Sequence, residues 1–263
     1  MRADVLLVAR GLAPSRTAAQ RLIEGGHVFA RYGETRSQLI KASATLADDT
    51  PIEVRSNELD RYVSRGGLKL EGALRHVELD VTALRCLDVG QSTGGFTDCL
   101  LQHGAAHVVG IDVGHDQLNP TLRSDPRVRC IEGVNARDSS AVLNAIASII
   151  NPNLSHECPM KHGVQLIVCD LSFISLTKVI PIFHKALDEK AHLLSLVKPQ
   201  FEVGAANVAR GGIVRDVSLF AEVEKNVRAA CGAHELQVLD YFESPITGAD
   251  GNREFFVYAE RAA

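Results

Sequence analysis

The sequence predicts an α/β protein: a doubly wound, mostly parallel sheet preceded by a small α+β domain. Three observations carry this prediction. From Arg85 onward, short apolar runs alternate with amphipathic stretches, the pattern of parallel strands joined by crossover helices. The first run ends in a glycine-rich turn, and the second ends in an acid, Asp112, 22 residues after Gly90. Charge is also divided unevenly: residues 1–47 hold seven Lys/Arg and three acids, and the remainder holds 21 basic and 29 acidic residues. That asymmetry predicts a basic module joined to an acidic body.

The amino-terminal elements are short. Val5, Leu6, Val8 and Leu12 form a helical stripe, which Gly11 and Pro14 end. Ser15 is suited to cap a second helix over 16–24, whose apolar side is Ala18, Ala19, Leu22 and Ile23. Gly25 and Gly26 stop it. Strands are predicted over 27–32 and 51–54, and the polar run from Arg55 to Arg61 makes a linker. The expected division is a first domain over 1–56, a linker over 57–63 and a body over 64–263. Residues 4–12, Ser15-Arg16, Ala19, Leu22-Ile23, Gly26 and Val28 together resemble the RNA-binding domain first seen in ribosomal protein S-four. The resemblance implies that the second helix and its flanking turns lie on RNA phosphates, with Arg2, Arg16 and Lys41 as contacts. The segment Phe29-Ala-Arg-Tyr-Gly33 departs from that family's usual Val-Asn-Gly turn.

In the body, strands are predicted over 86–89, 107–112, 128–131, 166–170 and 191–197, with the last strands over 238–242 and 255–259. Helices are predicted over 96–104, 141–150, 176–187 and 220–231. A sheet of this kind binds its ligand beyond the carboxyl ends of its strands. The turn Gly90-Gln-Ser-Thr-Gly94-Gly95 lets backbone approach a ligand, and the helix after it offers free N–H groups. Asp112 is placed to bind two ribose hydroxyls of an adenosine cofactor, either a dinucleotide or S-adenosylmethionine. The glycine spacing is not G-x-G-x-x-G, and Asp88 would repel a pyrophosphate while attracting a cationic amino group.

Other classes fit poorly. Apolar residues make up 46% of the chain and the net charge is only −4, which opposes disorder. No apolar run approaches the ~18 residues of a membrane span, and the first residues lack a signal-peptide core, so the expected location is the cytoplasm. The six cysteines show no C-x-x-C spacing, and no metal site is expected, although His156, Cys158 and His162 cluster. Asp170 ends the fourth strand without the Pro-Pro pair typical of enzymes that methylate base amines. Cys169 faces opposite to Asp170, which argues against attack on a base carbon. Lys69, Lys198 and Glu254 also fall at the expected strand ends.

With these residues in view, the chain resembles the TlyA (hemolysin A) family of rRNA 2′-O-methyltransferases nearly end to end. The motifs are Ser64-Arg-Gly-Gly-Leu-Lys69, Asp88-Val-Gly-Gln-Ser-Thr-Gly-Gly-Phe96, Asp170-Leu-Ser-Phe-Ile-Ser, Leu196-Val-Lys-Pro-Gln-Phe-Glu202, Gly211-Gly-Ile-Val-Arg-Asp and Ser244-Pro-Ile followed by Gly251-Asn. The resemblance implies a Rossmann-like body similar to the FtsJ class, with a catalytic tetrad of Lys69, Asp170, Lys198 and Glu254. It implies S-adenosylmethionine as cofactor, held by Asp88, Gly90, Ser92, Thr93, Gly94, Gly95, Phe96, Asp112, Asn135 and Asp170. The partner it implies is ribosomal RNA or an assembled ribosomal subunit, with Arg65 a further RNA contact and cytidine the methylated nucleotide. Lys198 would act as base, or lower the hydroxyl's pKa by its charge. Gln91 stands where the family carries a small residue, which predicts crowding of the cofactor's methionine part. The stretch 139–163 is longer than usual. The rival readings are a non-catalytic RNA-binding factor and a cytolysin; the absence of a span and of an amphipathic hairpin opposes the second.

Overall fold

A computed structural model describes residues 1–13, 15–33, 35–54, 61–150 and 163–262. Most of the predicted linker, and the cluster of His156, Cys158 and His162, lie outside the described residues. The chain divides into two compact units, Met1–Arg61 and Tyr62–Ala263.

The first unit is built from α1 (Ala3–Ala9), α2 (Arg16–Glu24), β1 (Val28–Tyr32), β2 (Thr35–Gln38) and β3 (Ile52–Val54). β1 lies between β2 and β3 and is antiparallel to both. Leu6, Leu7, Ala19, Ile23, Val28 and Ala30 form its buried core. Ser15 Oγ accepts from the Ala18 N–H at 3.2 Å, the predicted cap of α2. α1 starts earlier than its apolar stripe because the Ala44 and Ala42 carbonyls take the N–H groups of Ala3 and Asp4. β2 was not legible in the sequence. Its four residues are almost wholly exposed and show no apolar alternation, so pairing with β1 alone makes them a strand.

The second unit contains α3 (Arg65–His76), β4 (Arg85–Val89), α4 (Gly95–Gln102), β5 (His107–Asp112), α5 (Pro120–Arg123), β6 (Val128–Glu132), α6 (Ser139–Ile150), β7 (Val164–Cys169), α7 (Ile180–Ala186), β8 (Leu187–Val197), α8 (Pro199–Glu202), α9 (Ser218–Gly232), β9 (Leu236–Glu243) and β10 (Phe255–Arg261). Among the described residues its sheet has seven strands in the order β6-β5-β4-β7-β8-β10-β9. β4 to β8 are parallel, and β10 runs antiparallel to both of its neighbours. Alternate residues of each strand serve opposite faces. Leu87, Val109, Ile167 and Leu193 pack with Val142, Ile180, Phe183 and Val227 from α6, α7 and α9. Cys86, Val108, Leu166, Leu194 and Phe256 pack with Leu70, Ala73, Phe96 and Cys99 from α3 and α4. Both faces are therefore covered by helices, as a doubly wound sheet requires.

Several elements of the second unit differ from expectation, the short helices α5 and α8 among them. α3 was not predicted, because Gly66, Gly67 and Gly72 lower helix propensity. The space they leave is used: a Cβ on Gly67 would meet the Tyr62 ring at 2.2 Å, and one on Gly72 would meet Pro245 at 2.5 Å. The helix expected over 176–187 is instead a 3-10 turn at Leu176–Lys178 followed by α7. Pro181 lacks the N–H that a continuous helix needs, so it sits in the first turn of a new one. Leu187 already belongs to β8, which is longer than predicted.

A polar chain is buried beneath the first turn. Asp88 is fully buried, and its Oδ2 accepts from the Thr97 hydroxyl at 2.7 Å. The Thr97 oxygen in turn accepts from Gln91 Nε2 at 2.8 Å. Gln91 lies across Gly110, where a Cβ would meet its amide carbon at 1.9 Å. Burial pushes the Asp88 carboxyl up to about 7, against the opposing pull of the Thr97 hydrogen bond.

Two outcomes are expected. Phe256 is fully buried and stacks on Phe96 and Phe242. Phe256→Ala should cost about 3–5 kcal/mol in denaturant unfolding. For Asp88, the folded protein holds the proton more tightly than the unfolded chain, so its contribution is favourable at low pH and is lost as pH rises from about 4 towards 7. Relative to wild type without ligand, Asp88→Asn should melt at a higher temperature at pH 8 than it does at pH 5. An equal difference at both pH values would contradict this.

Candidate active site

The site forms at the carboxyl edge of the parallel strands. Asp170 follows β7 and Lys198 follows β8, and these strands are hydrogen-bonded neighbours. Lys198 Nζ lies 2.6 Å from Asp170 Oδ1 and donates to Ser172 Oγ at 2.9 Å. Only 11% of the Lys198 side chain is exposed. Glu254 immediately precedes β10, which starts at this edge because it runs the other way. Its Oε2 receives Lys69 Nζ from α3 at 2.6 Å, in a buried ion pair. The four charged residues predicted from the sequence therefore stand as two lysine–carboxylate pairs. Lys69, Asp170 and Lys198 border one cavity of about 220 Å³, with Arg65, Gly90 and Ser172. Glu254 sits behind Lys69 and does not border it.

A second cavity, of about 500 Å³, shares Gly90, Ser92, Asp170 and Ser172 with the first. Its walls include Ile111, Asp112, Val134, Asn135 and Leu171. Both oxygens of Asp112 hold the surrounding turns, accepting from the N–H groups of Ser92 and Gly114 at 2.7 Å each. Gly90 has φ +84°, and a Cβ there would meet the Asp170 carbonyl at 2.8 Å, so the turn closes on β7 only with glycine.

The predicted cofactor residues do not all face these cavities. Gly90, Ser92, Thr93, Gly95 and Phe96 border the first, and Asp112 and Asn135 the second. Asp88 borders neither; it lies under the turn, and its Oδ1 has no hydrogen-bond partner. Gly94 also turns away, against Leu118 and Leu122. Gln91 borders the first cavity, but its amide is directed inward to Thr97, so the crowding expected from its size is relieved by Gly110. The sequence reading missed Ser172, Gln117 and Glu202. Ser172 was within reach of it, two residues after Asp170. Gln117 accepts from the Ser92 hydroxyl at 3.2 Å and comes from a polar turn with no pattern to mark it. Glu202 takes the Ser175 hydroxyl at 2.6 Å and the Leu176 N–H at 2.7 Å, and burial raises its carboxyl above the ordinary range.

In the first unit, Arg2 and Arg16 converge on the buried Asp4. Arg2 donates two hydrogen bonds of 3.0 Å, Arg16 one of 3.2 Å and Gln20 one of 3.0 Å. These donors, Arg2 first, hold the Asp4 carboxyl far below the usual carboxylate range. The two arginine side chains are still 47% and 59% exposed. Lys41 is exposed at the start of the turn that hydrogen-bonds the first residues of α1. In the second unit, Arg65 donates to the Thr247 carbonyl at 3.1 Å at the rim of the first cavity. Among the described residues, no three His, Cys, Asp or Glu side chains are grouped to hold a metal, and no helix is long and apolar enough to cross a membrane.

Known proteins are similar to this chain. The FtsJ-like methyltransferase family matches residues 62–261, and the S4 domain matches residues 1–29. The 16S/23S rRNA (cytidine-2′-O)-methyltransferase TlyA of Mycobacterium tuberculosis is 41% identical over 98% of this chain and 88% of its own. Hemolysin A of Brachyspira hyodysenteriae is 40% identical over 98% of this chain and 99% of its own. A solved protein of Streptococcus thermophilus that carries the hemolysin name superposes with a TM-score of 0.69 at 35% identity, covering 100% of this chain and 88% of its own. The FtsJ-like match spans most of the chain, and the similarity to the TlyA and hemolysin A proteins runs along almost its whole length, so the chain belongs to the FtsJ-like methyltransferases, within the family of the TlyA proteins.

Proposed function

We propose that this chain methylates a ribose 2′-hydroxyl of ribosomal RNA, at cytidine, with S-adenosylmethionine as donor. The observation that carries this reading is that two cavities share Gly90, Ser92, Asp170 and Ser172 as common walls. One is lined by Asp112 and apolar walls suited to an adenosine, and the other by Lys69, Asp170 and Lys198. The residues fit the cofactor: Asp112 and Asn135 suit its ribose and base, and Gly90, which borders both cavities, suits the stretch between them. Asp88 supports it from below through Thr97 rather than by lining the pocket. When bound, the cofactor supplies a methyl group on a cationic sulfur, already activated for transfer.

The protein's own contribution is position and proton management. Lys198 eases loss of the 2′-hydroxyl proton, either by taking it as the neutral amine or, as the ammonium, by stabilising the oxyanion whose proton passes to solvent. Asp170 and Ser172 aim its amine. Lys69, held by Glu254, orients the ribose from the opposite side. Remote binding energy then selects the substrate. Arg2 and Arg16, fixed by Asp4, take RNA phosphates, as does Lys41, and Arg65 contacts RNA beside the pocket. Phosphate contacts of this kind position the RNA without reading its sequence.

The direct test is transfer of labelled methyl to purified small and large ribosomal subunits, with the product mapped as a single nuclease-resistant ribose linkage. Lys198→Ala should lower kcat by roughly 10²–10⁴-fold, with cofactor affinity measured by calorimetry unchanged; near-normal turnover would refute its role. Arg2→Ala and Arg16→Ala should weaken RNA binding on all sequences alike and make its dependence on log salt shallower by about one per contact removed. A salt slope equal to wild type would remove these residues from the interface.

A further inference from the structure

The geometry points to Glu202 as a positioning residue, which holds the loop carrying Asp170 and Ser172 in register with Lys198. The inference rests on the reading of Lys198 and Asp170 as transfer machinery.

The loops after β7 and β8 leave adjacent parallel strands, and nothing in the sheet joins them beyond Cys169 and Ser195. Three side-chain contacts fasten them. Lys198 meets Asp170 and Ser172. Phe201 and Phe173 pack with ring centroids 5.3 Å apart. Glu202 takes two donors from the far end of the same loop, the Ser175 hydroxyl and the Leu176 N–H. Between these anchors Phe173 has φ +65°, a left-handed conformation that a bulky residue keeps only where its surroundings hold it. The Asp170 N–H, donated to the Val89 carbonyl at 3.0 Å, fixes one end of this strained segment, and Glu202 fixes the other.

Glu202 is rigidly connected to Lys198. Lys198 is the residue just before α8, and its carbonyl accepts from the Phe201 N–H at 2.9 Å. One short helical turn thus carries the amine at its beginning and the clasp at its end. Glu202 borders neither cavity, so it acts through the loop and not on the reacting atoms.

The test uses the full chain and two readouts. Acylation of Lys198 by an amine-reactive probe, followed by mass spectrometry, reports its environment whether or not RNA is the acceptor. In Glu202→Ala the rate should rise several-fold, because the partners of the amine loosen. In methyl transfer to ribosomal subunits, Glu202→Ala should lower kcat by about 10–100-fold, the scale of a misplaced reacting group. KM for the subunit and cofactor affinity should stay at wild-type values. Glu202→Gln keeps an acceptor and should recover most of the rate. Ser175→Ala should give a smaller loss that adds nothing in the Glu202→Ala background, since the two share one contact. Unchanged Lys198 acylation, wild-type kcat in Glu202→Ala, or a Glu202→Gln as impaired as the alanine variant would overturn the inference. If Glu202→Ala does not fold, Glu202→Gln and Ser175→Ala decide it by the same readouts. Wild-type protein that binds cofactor but transfers nothing to either subunit would overturn the proposed function, with the acylation result standing separately.

Discussion

Everything at the candidate site depends on the common direction of β4, β7 and β8. Parallel strands end on the same edge, so the residues that follow them meet there without any local sequence signal. Asp170 and Lys198 come within 2.6 Å for this reason. Glu254 reaches the same edge by the opposite route, since antiparallel β10 begins where its neighbour β8 ends, with Phe255 opposite Val197. Lys69 completes the set from α3, which packs on the face next to that edge and brings together residues 185 positions apart. The reversal of β10 is therefore what brings Glu254 to the candidate site.

The charges held at this edge are poor investments in stability. A buried ion pair such as Lys69–Glu254 gives up hydration on both sides and recovers it only through close geometry. Asp88 is more extreme: it is fully buried, satisfied on one oxygen, and pushed up to about 7. Apolar residues of similar volume would serve a purely structural sheet better. The grouping of these charges near the two cavities, with Lys69 on the wall of the first and Glu254 and Asp88 behind the walls, is what a site for a charged cofactor and a polar acceptor requires.

The RNA contacts proposed for the first unit rest on a similar fixing of side chains. Asp4 is buried with four donor hydrogen bonds around it, and its effect is to fix Arg2 and Arg16 with much of each side chain still exposed. Arginines held in this way lose less freedom on meeting a phosphate than unrestrained ones. Selection of one ribose then falls to shape and to the pocket of the second unit, because phosphate contacts carry no base information.

Much of this was legible in the sequence. The alternation of apolar runs identified the strands of the second unit, and the glycine-rich turn with Asp112 identified the ligand-binding edge. Asp170, Lys198 and Glu254 were recognisable as charges at strand ends, whereas Lys69, expected just upstream of the first strand, lies within α3. Periodicity could not reveal β2, which is polar and exists only through pairing, nor α3, whose glycines oppose helix formation until Tyr62 and Pro245 fill the space beside them. It could not place the start of β8 at Leu187 or show that Gly94 and Asp88 turn away from the cavities. By itself the sequence determined element types and the chemistry available, because both depend on neighbouring residues and local spacing. Only the tertiary structure decided which lysine meets which carboxylate, how Gln91 is accommodated over Gly110, and that Glu202 clasps the loop of Asp170. Those outcomes depend on contacts between segments far apart in the chain, and no local pattern encodes them.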